Sequence, residues 1–301
     1  MLPTFIILPL NLIRRHHYMS GNLFRNLSFF SATLSFFLLV GIFAVLFSYA
    51  QQSMHEFGFD FLFIEEWEAD EDDEGGIFGG YIPIIGTLLS TLIAMIIATP
   101  LAMGIAIFLT EIAHDKIVKP FSIAIELLAA IPSIIYGMWG LFYFAPIVQA
   151  TVGGNGVGLL TAGIVLAIMV IPFMAAITRD SMNTTPDVLK ESAYAMGATK
   201  FEVIKDVVMP YSKGGIIGSV ILSLGRALGE TMAVAFLIGS VMSIPKGITD
   251  PTTSIPVLLA NNFAEAQDLE ISSMYYLALI LFVVSFAIIS VAKFYFLGRK
   301  K

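Results

Sequence analysis

The stretch Glu191–Pro210, ESAYAMGATKFEVIKDVVMP, carries the signals of two short helices between two long apolar segments. Gly197 predicts the end of the first helix, because glycine adopts the left-handed conformation that lets a chain turn sharply at little steric cost. Thr199 and Glu202 have the spacing of a capping box and predict the start of the second helix. That helix is expected to end at Met209, because a proline disrupts the interior of a helix.

The residues before this stretch begin the first helix. Thr185 is a suitable N-cap, Pro186 fits the first helical position, and Asp187 places a negative charge at the positive end of the helix dipole. A helix from 186 to about 196 is therefore expected. One interpretation is that its apolar side chains pack beneath a larger bundle: Val188, Leu189, Ala193, Tyr194 and Met196.

The composition around this loop is that of a membrane protein. Of the 301 residues, 57% are hydrophobic and 13% are charged, whereas soluble domains average about 45–50% and about 25%. A helix needs ~20 apolar residues to cross the hydrocarbon core of a bilayer. We therefore predict an all-α integral membrane protein with six transmembrane helices, at about 27–50, 82–110, 121–147, 157–178, 214–243 and 274–297.

The basic residues predict how these helices are oriented. Lys and Arg in short loops stay on the cytoplasmic side of a membrane. Lys246 falls on the outer side and Arg226 falls within a predicted span, whereas the others share one side, so both termini are predicted to be cytoplasmic. The residues on that side are Arg14, Arg15, Arg25, Lys116, Lys119, Arg179, Lys190, Lys200, Lys205, Lys213, Lys293, Arg299, Lys300 and Lys301.

These features divide the chain into a cytoplasmic or interfacial lead, a first transmembrane helix, an acidic outer loop, a five-helix core containing the cytoplasmic loop 179–213, and a cytoplasmic tail. The outer loop holds ten carboxylates between Glu56 and Glu74, including EADEDDE at 68–74. Such a run is typical of a solvated segment, and a docking surface for an outside partner is the alternative. The five parts are 1–26, 27–50, 51–81, 82–297 and 298–301.

Several kinds of site are not expected. The chain has no cysteine, so it can form neither a disulfide nor a thiolate metal site. It lacks the G-x-x-x-x-G-K-[ST] phosphate loop, so any ATP hydrolysis that drives it must occur on another chain. No metal site is expected, because the four histidines show no spacing typical of ligands: His16, His17, His55 and His114.

The predicted fifth span, 214–243, contains two charged residues near its middle. A charge there costs ~2.5–3.5 kcal/mol on insertion scales, so Arg226 and Glu230 should face the bundle interior or an aqueous path. At helical spacing, Ser219 and Ser223 lie on the same face as these two charged residues. These four residues are candidates for a substrate pathway.

Two interpretations of the charged pair stay open. Arg226 and Glu230, four residues apart, could form a structural ion pair. Alternatively, Arg226 could bind a tetrahedral oxyanion with its planar fork of donors, while Glu230 orients it or accepts a proton. On the adjacent face, Gly225 and Gly229 are spaced to let another helix pack closely.

The third span is expected to be bent or interrupted, because Pro132, Gly137 and Gly140 lie within it. Interrupted helices in membranes expose backbone groups that neighbours or a cavity must satisfy. Ser133 and Tyr136 are therefore further pathway candidates. Glu111 and Glu126, near the ends of the second and third spans, are expected to have structural roles.

The loop quoted above resembles the EAA loop of permease subunits of bacterial ABC importers. That pattern is E-A-A, three residues, G, nine residues, I-x-L-P, and its positions correspond here to Glu191, Ala193, Gly197 and Pro210, with Ser192, Val207 and Met209 as small or apolar departures. The resemblance implies that the loop is a coupling helix that docks on a cytoplasmic ATPase.

A more specific resemblance covers residues from about 80 to 297. The stretches 126–142 (ELLAAIPSIIYGMWGLF), 155–173 (NGVGLLTAGIVLAIMVIPF) and 225–234 (GRALGETMAV) are similar to signatures of PstC-type phosphate ABC transporter permeases. The resemblance implies the type I, MetI-like permease fold in a bacterial or archaeal inner membrane. It also implies that Arg226 and Glu230 act in phosphate passage.

The resemblance further implies partners and leaves two alternatives. The partners are a PstA-like sister permease, a PstB-like ATPase dimer that holds ATP and Mg²⁺, and a PstS-like phosphate-binding protein outside, with membrane lipid around the chain and no nucleic acid. Residue chemistry alone also fits an ABC permease for sulfate, molybdate or phosphonate. An ion-coupled secondary transporter is disfavoured by the EAA-like loop.

Overall fold

A computed structural model of the protein describes residues 10–69 and 76–297. The chain divides into two compact units, residues 1–49 and 50–301, and helix α1 (Leu10–Glu56) contributes to both. The described part of the second unit contains α2 (Tyr81–Ile107), α3 (Asp115–Ala129), α4 (Ser133–Trp139), α5 (Ala145–Thr151), α6 (Leu159–Met182), α7 (Asp187–Ala195), α8 (Lys200–Glu202), α9 (Met209–Leu228), α10 (Met232–Ala235), α11 (Ile255–Asn262) and α12 (Asp268–Leu297).

Six helical segments in the described chain are long and apolar enough to cross a membrane. The predicted all-helical architecture with six spans is thus confirmed, although all the bounds differ and those of the third and fifth spans shift most. The predicted boundary at residue 26 is not a break, because α1 continues through it. The six segments are Leu23–Glu56, Tyr81–Ile112, Ser133–Thr151, Leu159–Met182, Lys200–Leu228 and Asp268–Phe294.

The third span is interrupted, as its prolines and glycines predict. Helix α3 ends at Ala129, and Pro132 then has φ −57° and ψ 137° before α4 begins. A π-helical turn, Gly140–Phe144, joins α4 to α5. The predicted bounds 121–147 therefore shift to Ser133–Thr151, because a proline has no N–H with which to continue the helix.

Small side chains bring α2 and α6 together at the centre of the bundle. Four alanines of α2 recur at every fourth residue and are fully buried: Ala94, Ala98, Ala102 and Ala106. Residues four apart share one face of a helix, and small residues there let backbones approach closely. On α6, a Cβ at Gly163 would lie 2.6 Å from Ile93 Cγ2, so larger residues at this crossing would separate the two helices.

The connection between α10 and α11 folds back into the bundle. Residues 252–254 are buried. The amides of Leu159 and Leu160, at the start of α6, donate to the carbonyls of Asp250 (3.1 Å) and Ile248 (2.7 Å). The first amides of a helix have no partner within the helix, so this connection supplies the missing acceptors.

A two-stranded hairpin lies on the opposite side of the bundle from α7. Strand β1 (Trp67–Ala69) pairs antiparallel with β2 (Gly76–Phe78). The indole of Trp67 donates to Glu270 at 3.0 Å, and the hydroxyl of Tyr276 donates to the carbonyl of Gly58 at 3.0 Å. Both bonds attach this region to α12. Most of the acidic run falls in residues 70–75, which lie outside the described residues, as does the tail 298–301.

Candidate functional site

The fifth span ends earlier than predicted. Helix α9 ends at Leu228, Gly229 follows as its C-cap, and α10 begins shortly afterwards. The Oε1 of Glu230 accepts a hydrogen bond from the amide of Ala233 at 3.2 Å. The predicted continuous span 214–243 is therefore wrong, because a glycine weakens the helix and a carboxylate that caps the next helix stabilises the break.

Arg226 lies on the last turn of α9, where the negative end of the helix dipole favours a cation. Its Cζ is 5.3 Å from the ring centroid of Phe173 on α6, which is a cation–π contact. Within the described part of the chain, no carboxylate lies within 4.0 Å of the guanidinium. The ion-pair interpretation with Glu230 is thus contradicted.

Tyr136 bridges the break between α3 and α4. Its hydroxyl donates to the carbonyl of Leu128 at 2.9 Å, and its side chain is buried. The carbonyl of Leu128 lies in the last turn of α3 and also accepts from the amide of Ile131 at 3.3 Å, so the tyrosine adds a second bond at the interruption. Ser133, the first residue of α4, is partly exposed. Tyr136 therefore fixes the broken helix beside Arg226.

Ser219 and Ser223 face the packed interior of the bundle. The hydroxyls of Ser219 and Thr178 are 2.7 Å apart and join α9 to α6. Ser219 also donates to the carbonyl of Ile216 at 2.7 Å. The hydroxyl of Ser223 is fully buried and has no partner among the described residues. Of the two serines on the predicted face, Ser219 joins α9 to α6. Ser223, about one helical turn before Arg226, is unpaired among the described residues.

Two glycines allow other helices to approach the site. A Cβ at Gly225 would lie 3.1 Å from Ile289 Cδ1 of α12, so this residue packs against a neighbouring helix. A Cβ at Gly137 would lie 3.1 Å from Ala233 Cα, which brings α4 against α10. At Gly229 it would meet only the carbonyl of Gly225 at 3.8 Å among described atoms. Among the described residues Gly229 packs against no other helix, and it is the C-cap of α9.

The loop on the basic side of the bundle begins with α7. This helix ends in a Schellman motif: the amide of Ala198 donates to Ala193 at 3.1 Å, and the amide of Gly197 donates to Tyr194 at 2.9 Å. Gly197 has φ +90°. The predicted helix and its glycine stop are confirmed, with the helix running from Asp187 to Ala195. The predicted N-cap is wrong, because Pro186 occupies that position and the hydroxyl of Thr185 has no hydrogen-bond partner among the described residues.

The second loop helix continues into the membrane. Its capping box is present, with the amide of Thr199 donating to Glu202 at 2.7 Å and the amide of Glu202 donating back at 3.4 Å. The predicted end at Met209 is wrong, because a π-helical turn, Val203–Val208, leads directly into α9. Pro210 then lies in the first turn of α9, directly after the π-helical turn, which interrupts the regular bonding pattern where proline lacks an N–H.

Several large apolar residues of the loop are exposed, and we call this set of residues the loop face. Val188 is 69% exposed, Met196 is 85% exposed and Phe201 is 70% exposed. The interpretation that these side chains pack beneath the bundle fails for all but Ala193, which is 7% exposed. Sequence analysis missed Phe201, although a large apolar residue in the first turn of a capped helix could have signalled it. The loop face comprises Val188, Leu189, Tyr194, Met196 and Phe201, and Glu191 is exposed beside it.

Two ion-pair groups connect this side of the bundle. Lys190 Nζ is 2.6 Å from Glu111 Oε1, and this pair joins α7 to the end of the second span. Arg179 NH2 is 3.1 Å from Glu126 Oε1 and 2.8 Å from Asp180 Oδ1, so it joins α6 to α3. Glu111 and Glu126 thus have defined partners in the structure.

The six apolar segments and the capped loop with its exposed apolar face define a subunit of a membrane transport system. The chain belongs to the family of binding-protein-dependent transport system inner membrane components, whose model matches residues 75–301. A solved structure of the MetNI methionine ABC transporter in inward-facing conformations matches with a TM-score of 0.59 and 18% identity, covering 73% of this chain and 95% of that chain. That likeness shows the fold.

Similar curated proteins narrow the comparison. The chain is 44% identical over 300 residues to the phosphate transport system permease protein PstC of Pasteurella multocida, covering 93% of this chain and 92% of the relative. It is 45% identical over 284 residues to PstC of Haemophilus influenzae, covering 88% and 89%. It is 34% identical over 283 residues to a probable PstC of Methanocaldococcus jannaschii, covering 88% and 89%. The resemblance to PstC-type permeases is thus confirmed.

Proposed function

We propose that this chain is the permease subunit of an ATP-driven importer of inorganic phosphate and that phosphate passes Arg226. The proposal is supported by the family and by the relatives, which are named phosphate transport system permease proteins. It places the chain in a bacterial or archaeal inner membrane, with the basic side and both termini in the cytoplasm.

The proposed phosphate path is supported by the guanidinium of Arg226, which forms no ion pair with a carboxylate among the described residues. A cation within a membrane span is costly, by ~2.5–3.5 kcal/mol on insertion scales. Phe173 and the helix dipole offset part of this cost. In the described part of the chain, no carboxylate within 4.0 Å offsets the rest. A passing phosphate supplies the opposite charge and fits the fork of guanidinium donors.

Glu230 shapes this site instead of neutralising it. Its carboxylate holds the start of α10 through the amide of Ala233, and α10 packs against α4 at Gly137. The side chain of Tyr136 holds the adjoining helix break. Arg226 therefore stays available to an anion, while its neighbours are fixed by other bonds.

The loop face supports docking of an ATPase. Exposed Val188, Met196 and Phe201 would be covered by a partner, because apolar patches of this kind mark interaction sites. Of the positions matching the EAA pattern, Glu191 and Ala193 lie on α7 and Gly197 ends it, whereas Pro210 lies in the first turn of α9. We assign ATP, Mg²⁺ and catalysis to a PstB-like ATPase dimer, so this chain is a non-catalytic subunit. A PstA-like permease and a PstS-like binding protein complete the complex.

The test is phosphate uptake by vesicles containing the whole complex. Arg226→Gln is expected to abolish uptake while the complex still assembles, and Arg226→Lys is expected to retain part of it, because a charge remains without the planar fork. Arg25→Gln, at an exposed position on α1, serves as the charge-matched control. Phosphate uptake at the wild-type rate by the Arg226→Gln variant would refute the proposal that phosphate passes Arg226. Stronger competition by sulfate or molybdate than by unlabelled phosphate would instead assign another oxyanion.

A further inference from the structure

Lys190 and Glu111 form the ion pair with the most buried carboxylate among the residues that the structure describes. Their Nζ and Oε1 atoms are 2.6 Å apart, and the side chains are 18% and 7% exposed. Lys190 lies in the middle of α7, whereas Glu111 lies in the π-helical turn Phe108–Ile112 that ends the second span. The pair therefore connects the loop directly to a membrane span.

The other contact of α7 with the core is apolar and small. Ala193 is the residue that α7 contributes to a buried cluster with Ala106, Met182, Val203, Val208 and Ile216. Apolar contact resists compression strongly, but separating this contact would expose only the small apolar surface of an alanine, so the hydrophobic effect opposes the separation weakly. A buried ion pair resists separation, because each charge would be left without compensation in a medium of low dielectric constant. With this pair, α7 can pull the second span as well as push it.

The second ion-pair group on this side differs in exposure. The Glu126 side chain is 60% exposed, and its partner Arg179 also contacts Asp180, whose side chain is 67% exposed. Water and a second carboxylate both weaken the link between Arg179 and Glu126. Glu126 is thus a matched carboxylate on the same side of the bundle that does not connect to α7.

We infer that the Lys190–Glu111 pair is the link through which a docked ATPase moves the second span when it displaces α7. The inference rests on the proposed function, because it requires an ATPase on the loop face. In this account both residues are positioning residues, since they act on the path through α2 and touch no substrate.

The test measures phosphate transported per ATP hydrolysed by the whole complex in vesicles. The double variant Lys190→Met/Glu111→Gln leaves no unpaired charge, so it is expected to assemble. Its transport ratio is expected to fall about fivefold or more, the lower end of typical coupling factors between sites. The charge swap Lys190→Glu/Glu111→Lys is expected to recover more than half of the ratio. Glu126→Gln is expected to keep the wild-type ratio.

A wild-type ratio in the assembled double variant would overturn the inference, and so would an equal loss in Glu126→Gln. A second readout separates this failure from failure of the proposed function, which would appear as absent phosphate uptake by the wild type. Because the chain has no cysteine, spin labels can be attached at exposed Leu101 and Lys205. ATP binding is expected to change their distance in the wild type and not in the double variant. The same change in both would refute the link without reference to phosphate.

Discussion

Replacing Gly197 by alanine should weaken ATPase docking through the backbone alone. Gly197 has φ +90°, and a Cβ added there would meet no described atom within 4 Å. The cost is therefore that of holding a residue with a side chain in the left-handed region, about 1–2 kcal/mol. If the loop face must keep this geometry to bind, affinity falls by the corresponding factor, about 5- to 30-fold. Binding of the purified ATPase to the permease pair in nanodiscs measures it.

Two control variants separate the effect of the backbone conformation at Gly197 from the effect of an added methyl group. Gly197→Asn should lose less affinity, because asparagine visits the left-handed region more readily. Gly218→Ala adds the same methyl group within α9, where a Cβ also meets no described atom within 4 Å and φ is not positive. It should leave docking unchanged. Wild-type affinity in the Gly197→Ala complex, or an equal loss with Gly218→Ala, would show that the turn geometry does not control docking.

Three further substitutions test the surroundings of the site. Gly137→Val should separate α4 from α10, because its Cβ would lie 2.8 Å from Phe236 Cδ2. The free energy of unfolding should fall by about 1–3 kcal/mol, and an unchanged melting temperature would contradict this packing. Thr178→Val should lower the free energy of unfolding by about 0.5–1.5 kcal/mol, because Ser219 loses its bond to α6 and keeps only its bond to the carbonyl of Ile216; unchanged melting would contradict this link. Tyr136→Phe should speed amide hydrogen exchange at the start of α4, and exchange at the wild-type rate would argue against the bridge across the helix break.

Much of the fold could be predicted because it depends on local signals. The capping box of Thr199 and Glu202, the stop at Gly197 and the interruption near Pro132 each follow from the chemistry of one or two residues. Spans follow from the length of apolar runs. The apolar composition does not distinguish a helix from a buried irregular segment, however. The end of the helix at Leu228, inside the apolar run 214–243, could therefore not be predicted from composition.

The candidate site was harder to predict because its bonds depend on that break. Spacing along an unbroken helix placed Glu230 on the face of Arg226, but the carboxylate instead caps α10 through Ala233. The link between Lys190 and Glu111 joins residues from different elements, and no periodicity in the sequence indicates such a partner. Arg226 itself was identified correctly as the unusual charge, because its rarity in an apolar stretch is visible without a structure.

The central claim is tested most directly by measuring phosphate uptake after a positive charge has been removed and then restored at position 226. The chain has no cysteine, so Arg226→Cys would be the single thiol for modification in this subunit. The account predicts that this variant, assembled with its partners, takes up no phosphate. A cationic aminoethyl methanethiosulfonate should restore part of the uptake, whereas the anionic sulfonatoethyl reagent should not. Normal uptake by the unmodified variant, or equal recovery with both reagents, would contradict the claim that phosphate passes a positive charge at this position.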